Sequence, residues 1–159
     1  MKNISLLFGL LFVISCSNDS TDDITTPPGP DYEVWTGANI TFIKAPNTDA
    51  GDAANQDRIT SNVAITRGTS GGEIFNAVSE SDATENVSPR GTKWAVGNIS
   101  DVESLSFSSF RSAVGKPKNV VGKNLVMHIE ADNVYLSVKF LSWASSQSGG
   151  FSYERSTKD

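Results

Sequence analysis

The sequence predicts an all-β fold, an antiparallel β-sandwich of jelly-roll-like type with at most one short helix. Three observations lead there. Residues 124–141 (NLVMHIEADNVYLSVKFL) alternate apolar and polar on both sides of Asp132-Asn133. Further short β-prone runs recur between turns built of Gly, Asn and Pro. No long helical pattern alternates with them, which counts against an α/β chain.

The hairpin is the most legible element. A two-residue turn at Asp132-Asn133 sets Ala131 opposite Val134, Ile129 opposite Leu136, Met127 opposite Val138 and Leu125 opposite Phe140. Side chains alternate across a strand, so these residues share one apolar face. The other face then carries Glu130/Tyr135, His128/Ser137 and Val126/Lys139. A slip of one residue would invert both faces. Asp and Asn suit the turn because they tolerate the left-handed conformation.

The remaining elements follow in chain order within a single domain, residues 34–159. Residues 38–45 (ANITFIKA) read as a strand with Ile40 and Phe42 on one face, ended by Pro46. Residues 47–57 form a polar loop. Residues 62–67 (NVAITR) and 73–78 (EIFNAV) flank Gly68-Thr69-Ser70-Gly71-Gly72 as a hairpin. A second polar loop, residues 80–90, leads to a strand at 92–97 (TKWAVG). Ser100 and Glu103 match a capping box, and Phe107, Phe110 and Val114 have helical spacing, so residues 100–114 are expected to hold one short helical turn. Residues 151–155 (FSYER) supply the closing strand.

Upstream of this domain, residues 1–15 (MKNISLLFGLLFVIS) join one Lys to an apolar run too short to span a membrane. Val13-Ile14-Ser15-Cys16 matches the lipobox, and here the chain resembles a bacterial lipoprotein. That resemblance implies a signal peptide at 1–15 and acylation of Cys16, which anchors the protein to a membrane; an ordinary signal peptide with a chance cysteine is the alternative. Ser17-Asn18-Asp19-Ser20-Thr21-Asp22-Asp23 resembles the acidic export signal of Bacteroidota surface lipoproteins. It implies a cell-surface address on the outer membrane, with a periplasm-facing orientation as the alternative. Residues 16–33, with Pro27-Pro28-Gly29-Pro30, read as a lipidated cysteine and an extended tether. The segments NQDRIT (55–60), SPRGTKWA (88–95) and GGFSYERST (149–157) resemble those of a small uncharacterised domain of secreted and surface bacterial proteins. That likeness implies a modular extracellular domain and no particular chemistry.

Composition narrows the function classes. A net charge of −5 argues against a nucleic-acid partner, since phosphate needs a basic surface. One cysteine excludes an internal disulfide and a cysteine-built metal cage. Gly68-Thr69-Ser70-Gly71-Gly72 is similar to the nucleophile loop of chymotrypsin-like proteases, but the His and Asp that should precede that Ser are missing, so it reads as a turn. A Ca²⁺ site is the one cofactor expectation: Asp49, Asp52 and Asp57 crowd one loop with hard oxygen ligands, the alternative being a solvated acidic loop. Glu80, Asp82 and Glu85 are carboxylates that a glycoside hydrolase could use at a separation of roughly 5–9 Å.

Flat aromatics stack on sugar rings and anchor protein partners, and Trp35, Trp94, Trp143, Tyr135 and Tyr153 are available for either a core or a surface. Trp94 reads as core. By strand alternation Tyr135 and Trp143 share the hairpin's polar face with Lys139 and His128, so these four define the expected ligand-binding patch. The leading functional expectation is a non-enzymatic, surface-anchored binding or adhesion module for an extracellular glycan or protein. A structural envelope lipoprotein and a carboxylate-dependent glycoside hydrolase are the alternatives.

Overall fold

The computed structural model describes residues 31–159. The signal peptide, Cys16 and the tether up to residue 30 lie outside the described residues. From residue 31 onward the chain is all-β, with nine strands in two facing sheets, as the alternation requires.

The larger sheet holds β1 (Glu33–Trp35), β2 (Gly37–Lys44), β6 (Thr92–Val96), β7 (Asn124–Ile129), β8 (Val134–Trp143) and β9 (Phe151–Thr157). Its order is β2-β9-β8-β7-β6, antiparallel throughout, with β1 added parallel to the first residues of β8. The smaller sheet is the antiparallel trio of β3 (Asp57–Arg58), β4 (Ala64–Arg67) and β5 (Ile74–Asn76). Ile59, Val63, Ile65 and Ile74 from its side meet Trp94, Leu125, Met127, Leu136, Phe140 and Tyr153 from the larger sheet in one core. One α-helix, α1 (Phe110–Val114), closes an end of that core with Phe110 and Val114. Three 3₁₀ turns, at Ala53–Asn55, Ile99–Ser104 and Pro117–Asn119, complete the ordered elements.

The hairpin keeps its predicted faces but not its predicted pairs. Ile129 lies opposite Val134, Met127 opposite Leu136 and Leu125 opposite Val138, while His128 faces Tyr135 and Val126 faces Ser137. The turn takes four residues, 130–133, rather than two. Asn133 carries the left-handed φ of 49°. Lengthening a turn by two shifts every pair by two residues and leaves parity unchanged, so the apolar set stays inward.

Two further expectations are corrected. Ser100 and Glu103 form no capping box: the turn at Ile99–Ser104 has Asn98 at its start with no side-chain cap, and Glu103 instead accepts from the Tyr32 hydroxyl at 2.9 Å. The helix begins later, where the Ser109 side chain accepts the Ser112 N–H. β1 and β3 carry no sequence signal of their own. β1 starts in what reads as tether, and the two residues of β3 sit in what reads as loop.

An ion pair across the core aligns the two sheets. Arg155 on β9 grips Asp57 on β3 with both arms, Nε to Oδ2 at 2.7 Å and Nη2 to Oδ1 at 2.9 Å. The Tyr153 hydroxyl donates to the same Oδ2 at 2.6 Å. Burial pulls the Arg155 pKa down, but the hydrogen bond and charge of Asp57 outweigh it and the net shift is upward. Tyr153 is pushed well above the usual phenol value, first by burial, then by the negative charge of Asp57 and the hydrogen bond to it.

Asp57→Ala leaves a buried guanidinium unpaired, so it should lower the unfolding free energy by about 3–5 kcal/mol in urea titration. Tyr153 makes a separate pH prediction. Its folded pKa lies above its unfolded one, so its contribution is complete below about pH 10 and declines as pH rises through that value. Tyr153→Phe should flatten this alkaline decline.

Candidate functional site

The expected patch of Trp143, Tyr135, Lys139 and His128 is split by the fold. Between Phe140 and Ser142 the β8–β9 ladder carries an extra residue on β8, so Phe140 pairs with Tyr153 and Ser142 with Ser152. A bulge of this kind resets the alternation. Trp143 therefore turns to the core side, opposite Phe151, and packs beside Phe110, Phe140 and Phe151.

Tyr135 and His128 remain on the outer face, where they stack on each other at 4.2 Å with their planes 4° apart. Phe107 and Tyr32 close over this pair at 5.3 Å and 5.2 Å from the Tyr135 ring. His128 Nε2 is 3.0 Å from Asn133 Oδ1. The aromatic surface expected to be open is thus partly roofed by the chain around residues 99–107. Gly97 permits that roof, since a Cβ there would lie 2.4 Å from a Leu105 methyl. Lys139 is exposed next to Glu154 on β9, away from the aromatic group. Trp35, Trp94 and Tyr153 are buried in the core.

The acidic groups do not assemble either. Asp57 is spent on Arg155 and Tyr153. Asp49 Oδ1 accepts the Gly51 N–H at 2.8 Å, and Asp52 starts a 3₁₀ turn without capping it. The expected Ca²⁺ set is not brought together, and among the described residues no group of three or more His, Cys, Asp or Glu side chains is placed to hold a metal ion. Glu80 is a staple: Asn76 N and Arg90 N donate to Oε2, and the Ser88 hydroxyl donates to Oε1 at 2.5 Å. Asp82 accepts from Ser70 and from Ala83 N, while Glu85 is exposed beside Arg111. A carboxylate that caps its own loop with every oxygen is poorly placed to shuttle protons.

The site that the fold does build surrounds Trp143 from the core side. A cavity of about 380 Å³ is lined by Arg67, Arg111, Lys116, Lys118 and Trp143, with the small residues 144–146 at its rim. Arg67 ends β4 and is 4% exposed. Its guanidinium carbon sits 4.0 Å above the Trp143 ring. Its Nη1 donates to the carbonyls of Ala144 and Gly150, each at 3.0 Å, which holds both ends of the 144–150 loop. Its Nε is buried and has no hydrogen-bond partner among the described residues. Gly149 closes the loop against this strand: its φ is +72°, and a Cβ would meet the Gly68 carbonyl oxygen at 2.8 Å.

The electrostatics are one-sided. Among the described residues, Arg67, Lys116 and Lys118 enter no ion pair. Arg111 is paired with buried Glu73 at 2.6 Å and with Glu85 at 3.5 Å. Burial lowers the Arg67 pKa. Burial also lowers that of Lys44, which is 1% exposed, and the neighbouring Arg67 adds to the effect. No acidic residue lines the cavity among the described residues. Sequence reading missed this cluster because its members come from four separated segments. The only local hint was Lys116-Pro117-Lys118, two basic residues on a Pro-started turn.

Comparison with protein-family models, with curated proteins and with solved structures finds no match for this chain.

Trp94 and Trp35 are shielded whereas Trp143 borders a cationic cavity, so iodide should quench a distinct fraction of the fluorescence more strongly than caesium does. Trp143→Phe should remove that fraction. Adding millimolar calcium should leave the Tm unchanged, because Asp57 is already fully engaged.

Proposed function

We propose that this chain is a lipid-anchored, surface-displayed binding module whose ligand enters the cavity beside Trp143. The lipobox at Val13-Ile14-Ser15-Cys16 and the acidic run that follows support the anchor and the outer-membrane address. The likeness of NQDRIT, SPRGTKWA and GGFSYERST to a secreted bacterial domain supports an extracellular module.

One observation carries the binding reading: Arg67 is a buried cation beside an aromatic ring, and no carboxylate among the described residues pairs with it. Burying a cation costs stability unless something compensates it, and such uncompensated groups concentrate at functional sites. The outer face with Tyr135 and His128 lacks this feature, since its aromatics satisfy one another. The reading keeps the module non-enzymatic, and the engagement of Glu80 and Asp82 within their own loops supports that choice over a carboxylate-dependent hydrolase.

The test is a screen of the full-length protein in mild detergent against glycan and extracellular-protein arrays. Binding should be lost in Ser145→Trp, which fills the cavity mouth from an exposed position without touching the core, and retained in Lys139→Ala and Tyr135→Ala. Loss on the outer face with retention in Ser145→Trp would refute the cavity as the site. Palmitate labelling should mark the wild type and not Cys16→Ala.

A further inference from the structure

The reading of the cavity as a binding site leaves its ligand class open, and the lining narrows it. Resting on that reading, we infer that the cavity selects a sugar unit carrying an oxyanion, a carboxylate or a sulfate, and holds that anion with Arg67, Lys116 and Lys118.

The charge count is the first ground. Four cationic side chains converge on one cavity in a chain whose net charge is −5, and only Arg111 among them has acidic partners. Burial, and after it the charge of nearby Arg67, lowers the Lys44 pKa, so two buried cations lie close together here. An anion entering the cavity relieves this repulsion, so anion binding gains from a cost the empty fold already bears.

The second ground is donor geometry. Arg67 has one arm committed to the Ala144 and Gly150 carbonyls, which locks the side chain in place, and its Nε is buried without an acceptor. A guanidinium held in place offers a fixed charge, which suits a planar carboxylate or a sulfate better than a mobile ammonium does. Lys116 and Lys118 flank buried Pro117 on one 3₁₀ turn, so both extend from a rigid base at the rim.

The third ground is shape. At about 380 Å³ the cavity lies at the low end of small-molecule sites, which run from roughly 300 to 1,000 Å³. Trp143 gives it an apolar wall, and Ser145 and Ser146 offer hydroxyls at the rim, the mixture a sugar ring needs. A long polyanion such as nucleic acid is disfavoured by the surrounding negative charge, whereas a single charged unit reaches the cations inside.

Titration calorimetry on the full-length protein in mild detergent tests this with three probes: galacturonate oligomers, sulfated galactan oligomers and neutral galactan oligomers. An anionic probe should bind at least about tenfold more tightly than the neutral one, the difference shrinking as salt is raised. Whichever of the carboxylated and sulfated probes binds more tightly names the oxyanion. Lys116→Gln/Lys118→Gln, at two exposed positions, should weaken that binding by roughly tenfold and leave the Tm in place. Equal binding of neutral and anionic probes, no binding of either anionic probe, or an unchanged affinity in the double variant would overturn the inference. Neutral binding as tight as the anionic, abolished by Ser145→Trp, would overturn the oxyanion preference while leaving the cavity as the binding site. Anionic binding that survives Ser145→Trp would overturn both.

Discussion

Two sheets of unequal size face one another here, and the contact that sets their relation is charged rather than apolar. Arg155 and Tyr153 reach from β9 across the core to Asp57, which β3 presents from a strand of only two residues. A pair so short on backbone hydrogen bonds has little hold of its own, so its position is dictated by what its side chain meets. Apolar packing alone would tolerate the small sheet sliding over the large one, because dispersion and burial are not directional. A two-armed guanidinium–carboxylate contact with a third donor on the same oxygen tolerates little displacement. The desolvation of the pair is heavy, and its contribution is correspondingly one of alignment more than of net stability.

From that alignment the cavity follows. With β3 held under β9, the β3-β4-β5 sheet ends at Arg67, where β4 runs out beneath the 144–150 loop. Arg67 then does for the end of the sandwich what Arg155 does for its middle, but with carbonyl oxygens as acceptors in place of a carboxylate. Carbonyls supply partial charge only. The cation is therefore anchored but not neutralised, and the bulge at Leu141 places Trp143 under it. The helix α1 and the Pro117–Asn119 turn bring three more cations to the same rim. Structural demands and binding potential meet in one side chain.

The two aromatic groups of the larger sheet differ in the same terms. On the outer face Tyr135, His128, Phe107 and Tyr32 bury one another's rings while their polar ends find Asn133 and Glu103. That group is half-buried, and Tyr32, Phe107 and Tyr135 line a smaller cavity of about 210 Å³ with no cationic side chain in its wall among the described residues. On the inner face Trp143 shares its surroundings with a charge that has no counterpart, and the region stays open at one side. Aromatic content alone does not distinguish such surfaces; the satisfaction of the neighbouring polar atoms does.

Local alternation was enough to read the all-β class, the hairpin's inward set from Leu125 to Phe140, and the strands around Ile40, Ile65, Trp94 and Tyr153. The pleat has a period of two whatever lies across from it, so facing is a property of neighbouring residues. Register, by contrast, was wrong by two residues, since the turn took four residues and only closure against Gly91 and Glu33 decides that length. Trp143 was assigned to the outer face because a bulge leaves no mark in sequence: one extra residue on β8 depends on where β9 arrives. Asp57 was read as a calcium ligand beside Asp49 and Asp52 because its true partners lie about a hundred residues away. The cationic cavity was invisible for the same reason. Its members are scattered from Arg67 to Trp143, and convergence of distant side chains is set by how the sheets close, which only the tertiary structure contains.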